Sequence, residues 1–145
     1  MAESTEFREN SQAVQAHLNI AQNVIQRMAA NSASCKAYCI TLVSAILVLV
    51  ADKGKPEYAL IALIPTGLFF ALDTYYLALE RMFRRSYNDF IRKLHGGGIT
   101  PADLFAVVPT GSIFKTAPAS ALSFSIWPLY VTLIATIFVT KRLVL

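Results

Sequence analysis

Three apolar segments, each close to the length that crosses a bilayer, dominate this sequence. They occupy residues 33–51, 58–79 and 119–140. A helix rises about 1.5 Å per residue, so about 20 residues cross the roughly 30 Å of membrane hydrocarbon. Only 15% of the 145 residues are charged, whereas soluble domains carry about 25%. We therefore predict an all-α integral membrane protein with three transmembrane helices.

The N-terminal part, residues 1–32, is predicted to form a separate amphipathic helix on the cytoplasmic side. Its apolar side chains recur at spacings of three and four, which is the heptad pattern of a helix with one apolar seam. Two uses of the seam remain open: packing on the chain itself or on the membrane surface, and association of subunits into a homo-oligomer. The predicted oligomerisation residues are Val14, Leu18, Ile25 and Met28. Residues 33–145 then form the three-helix transmembrane module.

The distribution of basic residues predicts how the chain is oriented. Cytoplasmic loops carry an excess of lysine and arginine. With the N-terminus in the cytoplasm, nine of the 13 basic residues fall on the cytoplasmic side, and four fall outside, namely Lys53, Lys55, Lys141 and Arg142. We predict a protein of the bacterial inner membrane, with residues 80–118 as a helical cytoplasmic loop.

The second apolar segment contains a carboxylate, Asp73. A charge at membrane depth costs about 2.5 kcal/mol or more and normally faces protein or water. Tyr76 and Glu80 follow at three and seven residues, so they share a helical face with Asp73. Glu80 precedes Arg84 by four residues, the order that favours an ion pair on a helix, and we predict this pair. We predict that Asp73, Tyr76 and Glu80 contribute to the pore or gate of a channel.

Hydroxyl side chains at helical spacing occur in the first and third segments, as Thr41, Ser44, Thr132 and Thr136. Such residues can bond to the backbone and allow close helix packing. The alternative is that they line a wet path between subunits. Three helices are too few to enclose a water channel, so this second interpretation requires an oligomer. We include the four residues among the pore candidates.

A basic, aromatic stretch continues the second segment. Its positive charge fits anchoring to anionic lipid. Arginine interleaved with aromatic residues also fits single-stranded nucleic acid or a nucleotide, through phosphate pairing and base stacking. The ligand-binding candidates are Arg81, Arg84, Arg85, Tyr87, Arg92 and Lys93.

No set of residues with catalytic spacing is visible in the sequence. His17 and His95 lie in different segments, without acidic or cysteine neighbours at ligand spacing. The glycine run after His95 lacks the lysine and serine of a phosphate loop. We predict that the protein is not an enzyme and that it holds neither a metal nor a cofactor.

The stretch ALIPTGLFFALDTYYLALERMFRRSYNDF resembles small bacterial membrane effectors of anti-phage defence, the SLATT-type proteins and the channel effector of the Hailong system. The resemblance covers roughly residues 36–94. It implies a pore-forming effector that depolarises the cell under a nucleotide-based signal, which for the Hailong type is single-stranded DNA made by a partner nucleotidyltransferase. It also implies a conduction or gating girdle formed by Asp73, Tyr75, Tyr76, Glu80, Arg81 and Arg84.

These observations lead to one functional hypothesis and one alternative. The hypothesis is a homo-oligomeric ion channel that depolarises the membrane in anti-phage defence. Its cytoplasmic helices would gate it in response to a nucleotide or single-stranded DNA. Its partners would be further copies of itself, the lipid bilayer and the nucleotidyltransferase. The alternative is a membrane-anchored adaptor whose basic cytoplasmic helix recruits a partner protein, with the apolar segments as anchors only.

Overall fold

The computed structural model describes residues 8–143, and every regular element in this range is helical. The four α-helices are α1 (Gln12–Lys53), α2 (Leu63–His95), α3 (Ile113–Ala121) and α4 (Trp127–Leu143). Two 3-10 helices, Pro56–Ala62 and Pro101–Asp103, precede α2 and α3 respectively. The predicted all-α class is confirmed. Within residues 8–143, two helical stretches are long and apolar enough to cross a membrane, Gln12–Lys53 and Pro56–His95.

Helix α1 is one continuous helix of 42 residues. It begins after Ser11, whose side chain accepts a hydrogen bond from the Val14 amide at 3.3 Å. It ends at Gly54, where a φ of 58° suits glycine because glycine has no Cβ. The helix is about 60 Å long, about twice the hydrocarbon thickness. The N-terminal amphipathic region and the first apolar segment are therefore parts of one helix, with no break between residues 32 and 33.

Helix α2 runs antiparallel to α1 and joins the second apolar segment to the basic stretch. Phe90 and Leu94 lie in one apolar cluster with Val14, whereas Asp73 contacts Lys36. Low residue numbers in α1 therefore face high numbers in α2. The first residues of the second segment form the 3-10 helix, and α-helical geometry begins only at Leu63.

The third apolar segment is not one helix, and the prediction of a single span over residues 119–140 is wrong on this point. Helix α3 ends at Ala121, a turn follows, and α4 begins at Trp127. Pro128 lacks the amide hydrogen that a continuous helix would use. The Ser123 carbonyl instead accepts from the amides of Ile126 and Trp127 at 2.9 and 3.2 Å. Helix α4 has 17 residues, which is about 26 Å.

The predicted seam of α1 packs against the chain itself. Val14, Ile25 and Met28 are buried, and Leu18 is half-buried beside the cluster of Val14, Phe90 and Leu94. This burial arises because α2 continues to His95 and so reaches the N-terminal half of α1. Contacts within the chain account for the burial of this seam, and its predicted role in joining subunits stays a prediction.

Two apolar clusters occupy the two ends of the α1–α2 pair. The larger includes Cys39, Val43, Ala62 and residues of α4 such as Ile137. The smaller surrounds Val14. Between them the contact face of α1 carries Ser32 and Lys36, and the facing residue of α2 is Asp73. The fold therefore places a polar layer between two apolar ones.

Candidate functional site: a buried ion pair and a polar groove

Three helices meet at the carboxylate of Asp73. This residue is fully buried, and the Lys36 ammonium lies 2.7 Å from its carboxylate oxygens. The Ser32 hydroxyl donates to Oδ1, and the Tyr130 hydroxyl of α4 donates to Oδ2 at 3.2 Å. Lys36 also donates to Ser32 at 3.0 Å. We call these four residues the Asp73 cluster.

The position of each member follows from helical geometry. Ser32 and Lys36 are four residues apart, so both project from the buried face of α1. A buried charge is tolerated only when a partner charge and further hydrogen bonds replace water. Asp73 receives one cation and two hydroxyl donors, which meets this requirement. The cluster therefore joins α1, α2 and α4 at a single carboxylate.

Asp73 is fully buried within one chain and faces no open path there. Its predicted role in the pore or gate of an oligomer stays a prediction. Its charge is balanced by Lys36 inside the chain. Tyr76 is half-buried, and Glu80 forms an ion pair with Arg84 at 2.7 Å. Neither residue forms a hydrogen bond or an ion pair with the Asp73 cluster, although both follow Asp73 on the same helix. The predicted pair of Glu80 and Arg84 is confirmed.

Sequence reasoning missed Lys36 and Tyr130 as partners of Asp73. Lys36 is one of the nine basic residues that predicted the orientation of the chain, and no role at Asp73 was predicted for it. A usable signal was present, because one lysine and one aspartate of opposite charge lie inside two consecutive apolar segments. Consecutive helices joined by a short turn are antiparallel, so two such charges can lie at similar depth.

The predicted hydroxyl residues lie on the outer faces of the chain. Thr41 and Ser44 are exposed on α1, and Thr132 and Thr136 are exposed on α4. The three threonine hydroxyls each donate to the carbonyl four residues earlier, at 2.8 to 2.9 Å. Bonding to the backbone is one of the two predicted uses of these hydroxyl residues; the other is to line a wet path between subunits. None of the three threonine hydroxyls donates to the Asp73 cluster.

Arg81 holds the turn between α3 and α4. Its guanidinium donates to the Ala119 carbonyl at 3.0 Å and to the hydroxyls of Ser120 and Ser123 at 3.3 and 3.0 Å. A cation near the carboxyl end of a helix is favourable because the last carbonyls are unpaired. Arg81 therefore has a structural role at this turn, and its predicted part in ligand binding stays a prediction.

The other predicted ligand-binding residues differ in their contacts. Arg92 forms an ion pair with Asp89, and Lys93 pairs with Asp103 at 2.7 Å. Arg85 lies beside Gly111, where an added Cβ would sit 3.4 Å from its guanidinium. Arg84 and Tyr87 line the same cavity.

That cavity is a polar groove between α1 and α2, with a volume of about 340 Å³. Arg84, Tyr87 and Asn88 line it from α2, and Gln22, Ile25 and Gln26 line it from α1. The Gln22 amide donates to the Tyr87 hydroxyl at 3.3 Å. Carboxamides both donate and accept hydrogen bonds, whereas guanidinium only donates. The polar groove can therefore satisfy a small ligand that has a negative group and a planar hydrogen-bonding edge.

Within the part of the chain that the structure describes, no group of three or more histidine, cysteine or carboxylate side chains is placed to hold a metal ion. The absence of a metal, of a cofactor and of enzymatic activity stays a prediction. No family model, curated protein or solved structure matches this chain.

Proposed function

We propose that this chain is a homo-oligomeric ion channel of a bacterial inner membrane that acts as a depolarising effector in anti-phage defence. One observation carries the proposal, the buried pair of Lys36 and Asp73 between two long apolar helices. An anchor needs no charges there, and an apolar pair of similar volume is often at least as stable as a buried ion pair. Ionisable residues at membrane depth generally serve a function.

The proposed ion path lies between copies of the chain. The helices of one chain are too few to enclose water, and their buried face is filled by side chains. The outer faces of α1 and α4 carry Thr41, Ser44, Thr132 and Thr136. Threonine oxygens that donate to the backbone keep lone pairs that can accept from water. These faces are the ones that copies would turn toward one another.

The Asp73 cluster is the proposed lock of the closed state. Tyr130 is the member that α4 contributes, so movement of α4 away from the α1–α2 pair would break that bond. The polar groove lies further along the same α2 helix, at Arg84, Tyr87 and Asn88. A nucleotide or single-stranded DNA from a partner nucleotidyltransferase would place a phosphate at Arg84, in competition with its ion pair to Glu80, and a base edge at the carboxamides. Movement of α2 would transmit ligand binding in the polar groove to the Asp73 cluster.

Ion flux tests this function. Tyr130→Phe removes one hydroxyl from Asp73 without leaving a charge unpaired, so we expect basal cation flux in liposomes to rise about tenfold. A hydrogen bond to a charged group contributes about 1.5 kcal/mol or more, and about 1.4 kcal/mol is tenfold in an equilibrium. Tyr75→Phe is the matched control because Tyr75 is an exposed tyrosine of α2. Absence of flux from all three proteins would contradict a channel.

One feature favours the adaptor as the second candidate. The C-terminal half of α2 exposes several basic side chains, including Arg84, Arg92 and Lys93, which would suit an acidic partner protein. In that case the apolar helices are anchors only. The adaptor predicts partner capture without ion flux, so the same liposome measurement separates the two candidates.

The proposed orientation is tested with reporter fusions. Gly54 ends α1 at one end of the helix pair, and Leu94 packs beside Val14 at the other. The excess of basic residues on one side leads us to expect a periplasmic signal from a fusion after Gly54 and a cytoplasmic signal from one after Leu94. Exchanged signals would invert the orientation, and equal signals would contradict a crossing by α2.

A further inference from the structure

A buried histidine holds the loop between α2 and α3. His17 of α1 is 5% exposed, and its Nδ1 accepts a hydrogen bond from the Phe105 amide at 3.0 Å. Its ring stacks on Phe90 of α2, with 4.1 Å between the ring centroids. Because Nδ1 acts as an acceptor, the imidazole is neutral and carries its hydrogen on Nε2. One side chain of α1 therefore contacts both α2 and the loop.

The backbone of Phe105 is in a conformation that it would not adopt without support. Its φ is 62°, in the left-handed region where a bulky residue is strained. Its side chain is 59% exposed, so the aromatic ring contributes little burial to hold this shape. The supports are the bond to His17 and the buried side chain of Leu104, next to Phe105 in the chain. Loss of the His17 bond would let the strained backbone relax.

The charged groups that face His17 are already paired. Asp103 of the loop and Asp89 and Lys93 of α2 line the same cavity of about 420 Å³. Lys93 and Thr100 bind the carboxylate of Asp103 and hold its pKa at about 2. Asp89 pairs with Arg92. Helix α1 carries no charged residue within one turn of His17. A protonated imidazole would therefore have no free anion to pair with.

We propose that His17 is a proton-sensitive latch for the α2–α3 loop: a proton on Nδ1 replaces the acceptor with a donor, breaks the bond to Phe105, and releases the loop from the helix pair. The cavity beside the ring gives the freed segment and water room to move. The loop leads directly to α3, which is held on α2 by Arg81. This inference does not rest on ion conduction.

The direction of the pH dependence follows from burial. Burial lowers the pKa of His17 below its ordinary value of 6.5, and the charge of Asp103 opposes this only in part. The latch is therefore fully closed above about pH 6.5. The bond between His17 and Phe105 weakens as the pH falls, and it no longer holds the loop once the pH has passed below the lowered pKa of His17. Within this window the ratio of released to latched loop rises by up to about tenfold per pH unit.

A spin label at Ala106→Cys reports the state of the loop in the full-length protein. Position 106 is exposed, whereas both native cysteines are buried, so a sample without the new cysteine measures background labelling. His17→Asn is the matched variant, because its amide oxygen can accept from Phe105 but cannot be protonated at these pH values. His17→Phe keeps the stack on Phe90 and removes the acceptor. All three proteins retain His95.

The latch predicts a different pH profile for each protein between about pH 7.5 and about pH 5. The label becomes mobile on acidification in the protein with His17, stays immobile throughout with asparagine, and is mobile throughout with phenylalanine. Circular dichroism verifies that each variant is helical. Identical profiles for histidine and asparagine, or an immobile label at high pH with phenylalanine, would overturn the latch.

Discussion

Lys36→Met is expected to lower the free energy of unfolding by about 3–5 kcal/mol, which is typical when one partner of a buried ion pair is removed. Methionine preserves much of the aliphatic volume, so lost packing contributes little. What remains is an Asp73 carboxylate that is fully buried and has lost its cation. The two hydroxyl donors at Ser32 and Tyr130 cannot balance a charge.

Asp73→Asn should be much less costly than Lys36→Met. The Lys36 side chain is 23% exposed, and a long lysine can extend toward water when its partner is lost. The double variant Lys36→Met/Asp73→Asn removes both charges and should be destabilised by less than the sum of the two single changes. Thermal unfolding in detergent measures all three, with Lys115→Met as an exposed lysine control. A Lys36→Met protein as stable as the starting protein would contradict the structural role of the pair.

Ile25→Asp is expected to separate the N-terminal half of α1 from the C-terminal half of α2. Ile25 is 7% exposed, so an aspartate there loses apolar packing and has to be desolvated, although Arg84 lines the same groove. We expect this change to cost about 3 kcal/mol or more. Hydrogen exchange should rise in residues 14–32 of α1 and in residues 84–95 of α2. Asn23→Asp places the same charge on an exposed position of the same helix and should leave exchange unchanged.

The same variant distinguishes packing within the chain from packing between chains. If the seam served mainly to join subunits, Ile25→Asp would reduce the particle mass in detergent while the exchange of both helices stayed slow. Light scattering of the two aspartate variants makes this comparison. Slow exchange in both helices together with a smaller particle would return the seam to a subunit interface.

Periodicity predicted the elements whose determinants lie within one helix. The all-helical class, the continuation of α2 into a basic helix and the Glu80–Arg84 pair all depend on residues within a few turns of each other. The break in the third segment was missed because apolar composition continues across it. Pro128 lacks an amide hydrogen, and the Ser123 carbonyl accepts from the amides of Ile126 and Trp127; hydropathy measures neither feature.

The partners across helices depend on register, which no single segment determines. Asp73 and Lys36 are 37 residues apart, and Arg81 and Ser120 are 39 apart. Predicting either contact requires the relative rotation and depth of two helices. For the same reason the sequence assigned the basic residues one common role. The structure instead divides them among the turn after α3, the salt bridges at the end of α2 and the polar groove.

Because α1 is one unbroken helix, a tilt at one end moves the whole helix. A stiff rod about 60 Å long that tilts by about 5° moves its far tip by about 5 Å. A hydrogen bond is lost when its heavy atoms separate by much less than that. The Asp73 cluster lies at the level of Ser32 and Lys36, about 15–20 Å along α1 from Gln22, so the same tilt about the Gln22 end displaces it by about 1–2 Å. A displacement of that size parts Tyr130 from Asp73 when α2 moves with α1 and α4 stays in place. Such a rigid tilt of α1 needs no hinge and unfolds no turn of the helix.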